Sequence, residues 1–365
     1  MGTSMGTFSK QYVPILKARE AEIVALRRRP SHLAVTPYFE LQNVGVATLD
    51  PATGVPKRGK SAVTDASYFL DDVARLWNGD LYLDVSRVAA PADRDQWWQL
   101  LTSLSALTST SGVIIPSLAE GDPDQAWDAA APMATLAGRA AMRVSLPHAN
   151  PASLPASLAR AAHHLHLPTS SIDVILDWGE DLEVDVISLD DSVSHTATVI
   201  SALGPDHGAL ITAGTPNSKK FVQVGYWNPT RREWWLWLRL ATAGFDVVYG
   251  DYCLYPPSDP APATPRYGHL RYSSGDRLHV HREAIPPTGG GLKAAFAKAC
   301  DALISSAHFL GAGYSSADAQ LEEIALGTAE CGSAGLWRQH AAVHHFALVA
   351  NQLVSPPAAP PAGTP

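Results

Sequence analysis

The sequence predicts a (β/α)8 barrel of the TIM type, followed by a C-terminal β-hairpin and a helical appendage. Between Tyr12 and Cys253 a short apolar run alternates with a longer amphipathic stretch about eight times. The runs are continuously apolar instead of alternating, so they suit strands buried on both faces, as in a parallel sheet covered by helices. Eight strands, each followed by a helix, is the count that closes this barrel. With 46% hydrophobic residues, the chain has the material for one large core. The expected organisation is a disordered stretch over 1–10, the barrel over 11–255, a hairpin and helices over 256–353 packed on it, and a disordered tail over 354–365.

The first strand, VPILK, ends at Lys17 and runs into AREAEIVALRRR, where Ile23, Val24 and Leu26 give a helix an apolar side. Arg27, Arg28 and Arg29 end that helix, where positive charge complements its dipole. The second strand closes at PYFEL with Glu40, and residues 42–61 form a long loop suited to a flap over the barrel mouth. A helix opened by Asp65 as N-cap leads to LYLDV, which presents Asp84. A helix from PADRDQWWQLLTSL precedes the fourth strand, GVIIPSL, and PDQAWDAAAPMATLAG leads to the fifth, AAMRVSL. His163, His164 and His166 then cluster at a helix end, on the side away from a barrel's active face. The sixth strand, IDVILDW, carries Asp177; ALITAG is the seventh; the Trp-rich helix REWWLWLRLATAG packs on the barrel; and DVVYGDYC, with Asp251 and Tyr252, is the eighth.

Residues 256–265 form a Pro-rich linker. YGHLRY and RLHVHRE flank SSGD and read as a hairpin with a four-residue loop. Alternation puts Arg277, His279 and His281 on one face, where three cationic groups would converge on an anion, unless the hairpin is simply solvated. Two helical stretches follow, the second containing Trp337, Arg338, His344 and His345.

The net charge of -8 argues against a protein coated for duplex DNA, although a local anion site is compatible with it. Cys253, Cys300 and Cys331 lack CxxC spacing, which supports neither a disulfide framework nor a thiolate zinc site and fits the cytoplasm. No apolar run is long enough for a membrane span. P-loop, dinucleotide-binding, HExxH and GxSxG signatures are missing from the sequence.

In a barrel, catalytic groups gather where strands end. Those positions hold Lys17, Glu40, Asp84, Asp177 and Asp251, with Tyr252 beside the last; Arg19 lies just beyond the first. Carboxylates so placed have three uses. Glu40, Asp84, Asp177 and Asp251 suit a divalent metal such as Mg²⁺ or Mn²⁺. A general acid and base pair is the second use. The third is a structural ion network with Lys17 and Arg19. Arg338 and His344 either fold over the mouth or pack against the barrel's side.

The opening YVPILKAREAEIVAL resembles that of the beta protein family, first named from a tailed bacteriophage. PYFEL, RREWWLW, YGDYC, LRY and WRQHAAVHH resemble that family's later blocks in the same order, over roughly residues 11–353. At Thr215, Pro216 and Asn217 the chain departs from the Phe and Pro of the family pattern. The resemblance implies a barrel protein connected with phages or bacterial defence loci and brings no settled catalytic residues. Two functions remain open. One is a hydrolase, metal-dependent if the carboxylates bind an ion, acting on a phosphate ester, nucleotide or nucleic acid. The other is a non-enzymatic protein that recognises a phage or host protein partner. Under the first, Ala at Glu40 or Asp251 is expected to abolish activity without lowering the melting temperature.

Overall fold

The computed structural model describes residues 11–17, 20–41, 73, 76–86, 94–95, 97–99, 101–103, 112–180, 182, 187–216, 224–255, 267–287 and 289–357. The 1–10 segment, Arg19, the 42–61 loop with Asp65, Asn217, the 256–265 linker and the tail beyond 357 lie outside the described residues.

Each apolar run of the sequence forms a strand. They are β1 (Gln11–Lys17), β3 (Tyr38–Glu40), β4 (Leu81–Asp84), β5 (Ile114–Ala119), β6 (Ala140–Ser145), β7 (Ile172–Asp177), β8 (Leu210–Ala213) and β10 (Val248–Asp251). They pair in parallel in that order, and β10 returns to β1 through Tyr12 opposite Tyr249 and Pro14 opposite Asp251, which closes the barrel. A short β2 (Ala34–Val35) also pairs with β1. The helices of the outer layer include α1 (Glu20–Arg27), α2 (Asp124–Ala137), α3 (Leu154–Leu165), α4 (Leu189–Leu203) and α5 (Arg232–Thr242). Caps follow local chemistry: the Ser188 hydroxyl accepts from the Asp191 N–H at the start of α4, and Gly138 ends α2 in the left-handed region.

Period-two alternation sorts the strand residues into two cores. Inside the barrel, Val13, Ile15, Tyr38, Tyr82, Ile115, Ala141, Ile175, Ile211, Val248 and Tyr252 form one cluster. Tyr12, Leu16, Phe39, Leu83, Met142, Leu176, Tyr249 and Cys253 face outward and pack with the helices. At the amino-terminal end of the lumen, Arg139 Nη2 lies 2.5 Å and the Tyr82 hydroxyl 2.8 Å from Asp173 Oδ2.

The appendage contains β11 (Tyr267–Ser274), β12 (Arg277–Ala284), α6 (Gly291–Ile304), α7 (Ser316–Ala325) and α8 (Ala334–Val354). The expected four-residue hairpin loop is shorter: Ser274 pairs with Arg277, leaving a two-residue turn of Gly275 and Asp276, with Gly275 at φ 55°. β9 (Gly225–Trp227), from the β8–α5 connection, adds a third antiparallel strand beside β12. α7 lies between the two helical stretches expected from the sequence; its Ser315 hydroxyl caps Ala317 and Asp318, while Leu321 and Ile324 face the core. α8 packs against α1, α7 and β11. Among the described residues, no helix is long and apolar enough to cross a membrane.

Hairpin and α6 approach backbone to backbone at Gly268, where a Cβ would lie 2.3 Å from the Ala295 carbonyl carbon. Gly268→Ala must separate β11 from α6 and is expected to cost roughly 1–3 kcal/mol of stability, as overpacking does. Urea denaturation of the two proteins checks this.

Candidate active site at the carboxyl-terminal mouth

The last inward positions of the strands bring polar groups together at the barrel's carboxyl end. Glu40 lies opposite Lys17 and Asp84 in the sheet register, and Asp84 opposite Ser117. At their centre stands Arg143, from the middle of β6, a residue that the strand-end pattern does not single out. Its Nε and Nη2 donate to Asp177 Oδ2 at 2.9 and 2.7 Å; Nη1 donates to Glu40 Oε1 at 2.8 Å and Asp84 Oδ2 at 3.0 Å. Nη2 also donates to the Tyr252 hydroxyl, so all five guanidinium N–H groups are engaged. Burial opposes the charge, but Tyr252, Asp177, Tyr38 and Glu40 hold the guanidinium well above its ordinary pKa.

The surrounding residues complete this network. Lys17 Nζ donates to Glu40 Oε2 at 2.5 Å, with both side chains buried. The Tyr38 hydroxyl donates to Asp84 Oδ2 at 2.8 Å, and that of Tyr252 to Asp177 Oδ2 at 2.6 Å. Backbone N–H groups of Ser86 and Gly179 hold the second oxygens of Asp84 and Asp177. Two cations thus face three carboxylates. Asp177 is the most open carboxylate, at 9% side-chain exposure against 0% for Glu40 and 3% for Asp84.

Asp251 is not in this cluster. It shares the outward parity of Tyr249, while Tyr252 alone turns inward. Its Oδ1 accepts from the Tyr12 hydroxyl at 2.5 Å and the Cys253 N–H at 2.8 Å; its Oδ2 accepts from Tyr249 at 2.6 Å and lies 2.7 Å from His345 Nε2. Burial pushes its pKa up, but His345, Arg231 and the Tyr12 hydroxyl outweigh this and hold it well below the carboxylate range. His345 Nδ1 meets the Ser273 hydroxyl at 2.9 Å, which ties barrel, hairpin and α8 together. The next two residues, Cys253 and Leu254, take positive φ values of 46° and 71°, a costly conformation outside glycine. Asp251 holds the Cys253 N–H and Arg271 holds the Leu254 carbonyl, so the outer cluster sets the turn that presents Tyr252 to the mouth.

The expected metal set does not fit this arrangement. The Arg143 guanidinium stands between Glu40, Asp84 and Asp177, and Asp251 belongs to the outer cluster. Among the described residues, no group of three or more His, Cys, Asp or Glu side chains is arranged to hold an ion.

The remaining candidates lie away from the mouth. His344 is fully buried, with Nδ1 2.9 Å from Asp318 Oδ2 and Nε2 2.6 Å from the Ser273 carbonyl, which places it in the packing of α8. Arg338 stacks on Tyr255 at 4.5 Å. Arg277, half-exposed, lies beside Asp276 at 3.7 Å. His279 and His281 do share a face, but they meet His308 instead of an anion. Burial pushes their pKa values down to about 3 and about 4, so both are neutral near pH 7, contrary to the expected cationic cluster. His164 pairs with Asp128 at 2.8 Å on the outer helices.

Glu233, at the start of α5, lies 3.3 Å from Arg231 and is buried enough that its pKa is pushed up to about 8. The folded chain therefore keeps a proton that the unfolded chain releases above the ordinary range of about 4.3. Stability is fully present below that range and declines as pH rises through about 8. Glu233→Gln is expected to flatten this decline and raise stability near pH 8 by a few kcal/mol, to order of magnitude. Melting curves across that range check it.

Fold and site together define a (β/α)8 barrel protein with a closed ion network at the mouth and a buried outer cluster that fixes one wall. The chain belongs to the Beta protein family, whose sequence model matches residues 12–351. The resembling blocks converge in space: Tyr12, Arg231, Asp251 and His345 meet in the outer cluster, and Glu40 enters the mouth. No curated protein matches the chain. Among solved structures, a mandelate racemase/muconate lactonizing protein from Herpetosiphon aurantiacus aligns at 11% identity and a TM-score of 0.34, over 74% of this chain and 64% of that one. The chain thus spans less than two thirds of that protein.

Proposed function

We propose that the protein is a cytoplasmic hydrolase of phosphate esters or nucleotides, acting at the barrel mouth. The observation that carries this reading is the Arg143 guanidinium, held by carboxylates beside Lys17 at the end of the barrel where catalytic groups gather. Guanidinium matches phosphate as well as carboxylate, in the same two-pronged geometry. A phosphate group displaces Asp177, the most open of the three carboxylates. The phosphate charge beside the displaced Asp177 favours its protonated form, with the proton drawn from solvent. Glu40 then accepts a proton from water, the water oxygen attacks phosphorus, the bond to the leaving oxygen breaks, and Asp177 protonates that oxygen. Lys17 and Arg143 hold the charge of the transition state. In the phage or defence setting that the family resemblance implies, nucleotides and nucleic-acid ends are the corresponding esters.

A panel of phosphomonoesters, phosphodiesters and nucleotides, assayed with added Mg²⁺ or Mn²⁺ and with chelator, tests this. Turnover in the wild type and its loss in Glu40→Gln and Asp177→Asn supports the proposal. No turnover of any ester, or turnover that survives both changes, contradicts it. One observation favours the second reading, a non-enzymatic protein that binds a phage or host partner: all five Arg143 N–H groups are already satisfied within the mouth.

A further inference from the structure

We propose that His281 and His308 form a two-imidazole site for a divalent transition ion such as Zn²⁺, which clips the 305–315 segment to the hairpin. The two Nε2 atoms are hydrogen-bonded to each other at 3.2 Å, the contact that the ion would replace. With Zn–N bonds of about 2.0–2.1 Å, that span gives a ligand–metal–ligand angle of about 100°, close to tetrahedral. Imidazole suits Zn²⁺ and its neighbours, while Mg²⁺ and Ca²⁺ prefer oxygen.

The surroundings fix both rings. His308 is stacked by His279 with centroids 3.8 Å apart and planes 2° from parallel, and by Tyr226 at 5.5 Å and 15°. Tyr226 also lies against His281 at 4.9 Å. His279 offers no free nitrogen, since Nδ1 bonds the Tyr226 hydroxyl at 2.7 Å and Nε2 the Ser274 hydroxyl at 2.8 Å. It acts as the wall that orients His308. His281 comes from β12 and His308 from the segment between α6 and α7, so an ion bridging them joins elements 27 residues apart in sequence. Two protein ligands leave the remaining positions to water, consistent with the half-buried exposure of His308 at the edge of the cluster.

Zn²⁺ titrated calorimetrically into the full chain tests the site. One bound equivalent is expected, with the apparent Kd weakened at least tenfold in His281→Ala and in His308→Gln, and unchanged in a His163→Ala/His164→Ala control. Circular dichroism melts of the metal-free variants establish that each is folded. Co²⁺ added instead should give a tetrahedral absorption spectrum in the wild type that the His308→Gln protein lacks. The proposal is overturned by absence of binding, by binding that persists in both single variants, or by binding lost only in the control.

Discussion

Replacing Arg143 with Leu is expected to be among the most destabilising single changes in this barrel, costing about 3–5 kcal/mol because it leaves Asp84 and Asp177 without their cation in a buried site and Glu40 with Lys17 alone. A domain's total stability is about 5–15 kcal/mol, so the variant sits near the edge of folding at neutral pH. The sign of its pH dependence is the diagnostic feature. Without the guanidinium, the two carboxyls left without a cation gain stability from protonation in the folded state, so acidification toward the ordinary carboxylate range of about 4 should strengthen Arg143→Leu relative to wild type. Equilibrium urea curves at several pH values measure this. A loss below about 0.5 kcal/mol, within the range of ordinary surface changes, would show that solvent reaches the mouth freely.

Asp251→Ala is expected to cost a comparable amount, about 3–5 kcal/mol, because it leaves Arg231 and His345 facing each other without their shared anion. It also removes the acceptor of Tyr12, Tyr249 and the Cys253 N–H. This reverses the expectation from sequence that the change leaves the melting temperature unchanged or higher. The carboxyl's folded pKa lies below its unfolded value, so its stabilisation is present above about pH 4 and is lost as pH falls through the folded value. Wild type and Asp251→Ala should therefore converge in stability under strongly acid conditions. Parallel melts at neutral and acid pH decide it, and a constant gap between the two would assign the loss to packing alone.

The barrel was legible because double-sided burial makes its strands continuous apolar runs, and the register then sets Lys17, Glu40 and Asp84 level at one end. Arg143 was missed for the same reason: in AAMRVSL the arginine reads as an interruption of an apolar run, although such a charge demands partners. Asp251 was placed by proximity to a strand end, whereas alternation with Tyr252 already sends one of the two outward. Sequence alone cannot say which, because facing depends on the stagger of the closed sheet. β9 was invisible as a three-residue strand that exists only by pairing with β12. α7 carried a signal that went unused, Ser315 three residues before Asp318 ahead of Leu321 and Ile324.

Calorimetric binding of a nucleoside monophosphate, run in two buffers of different ionisation enthalpy, tests most directly whether the mouth is the functional site. If phosphate displaces Asp177 from Arg143, the wild type binds with uptake of about one proton, and Lys17→Met, folded by circular dichroism, binds at least tenfold more weakly. Binding without proton uptake, equal binding by Lys17→Met, or no binding to the wild type would contradict that assignment.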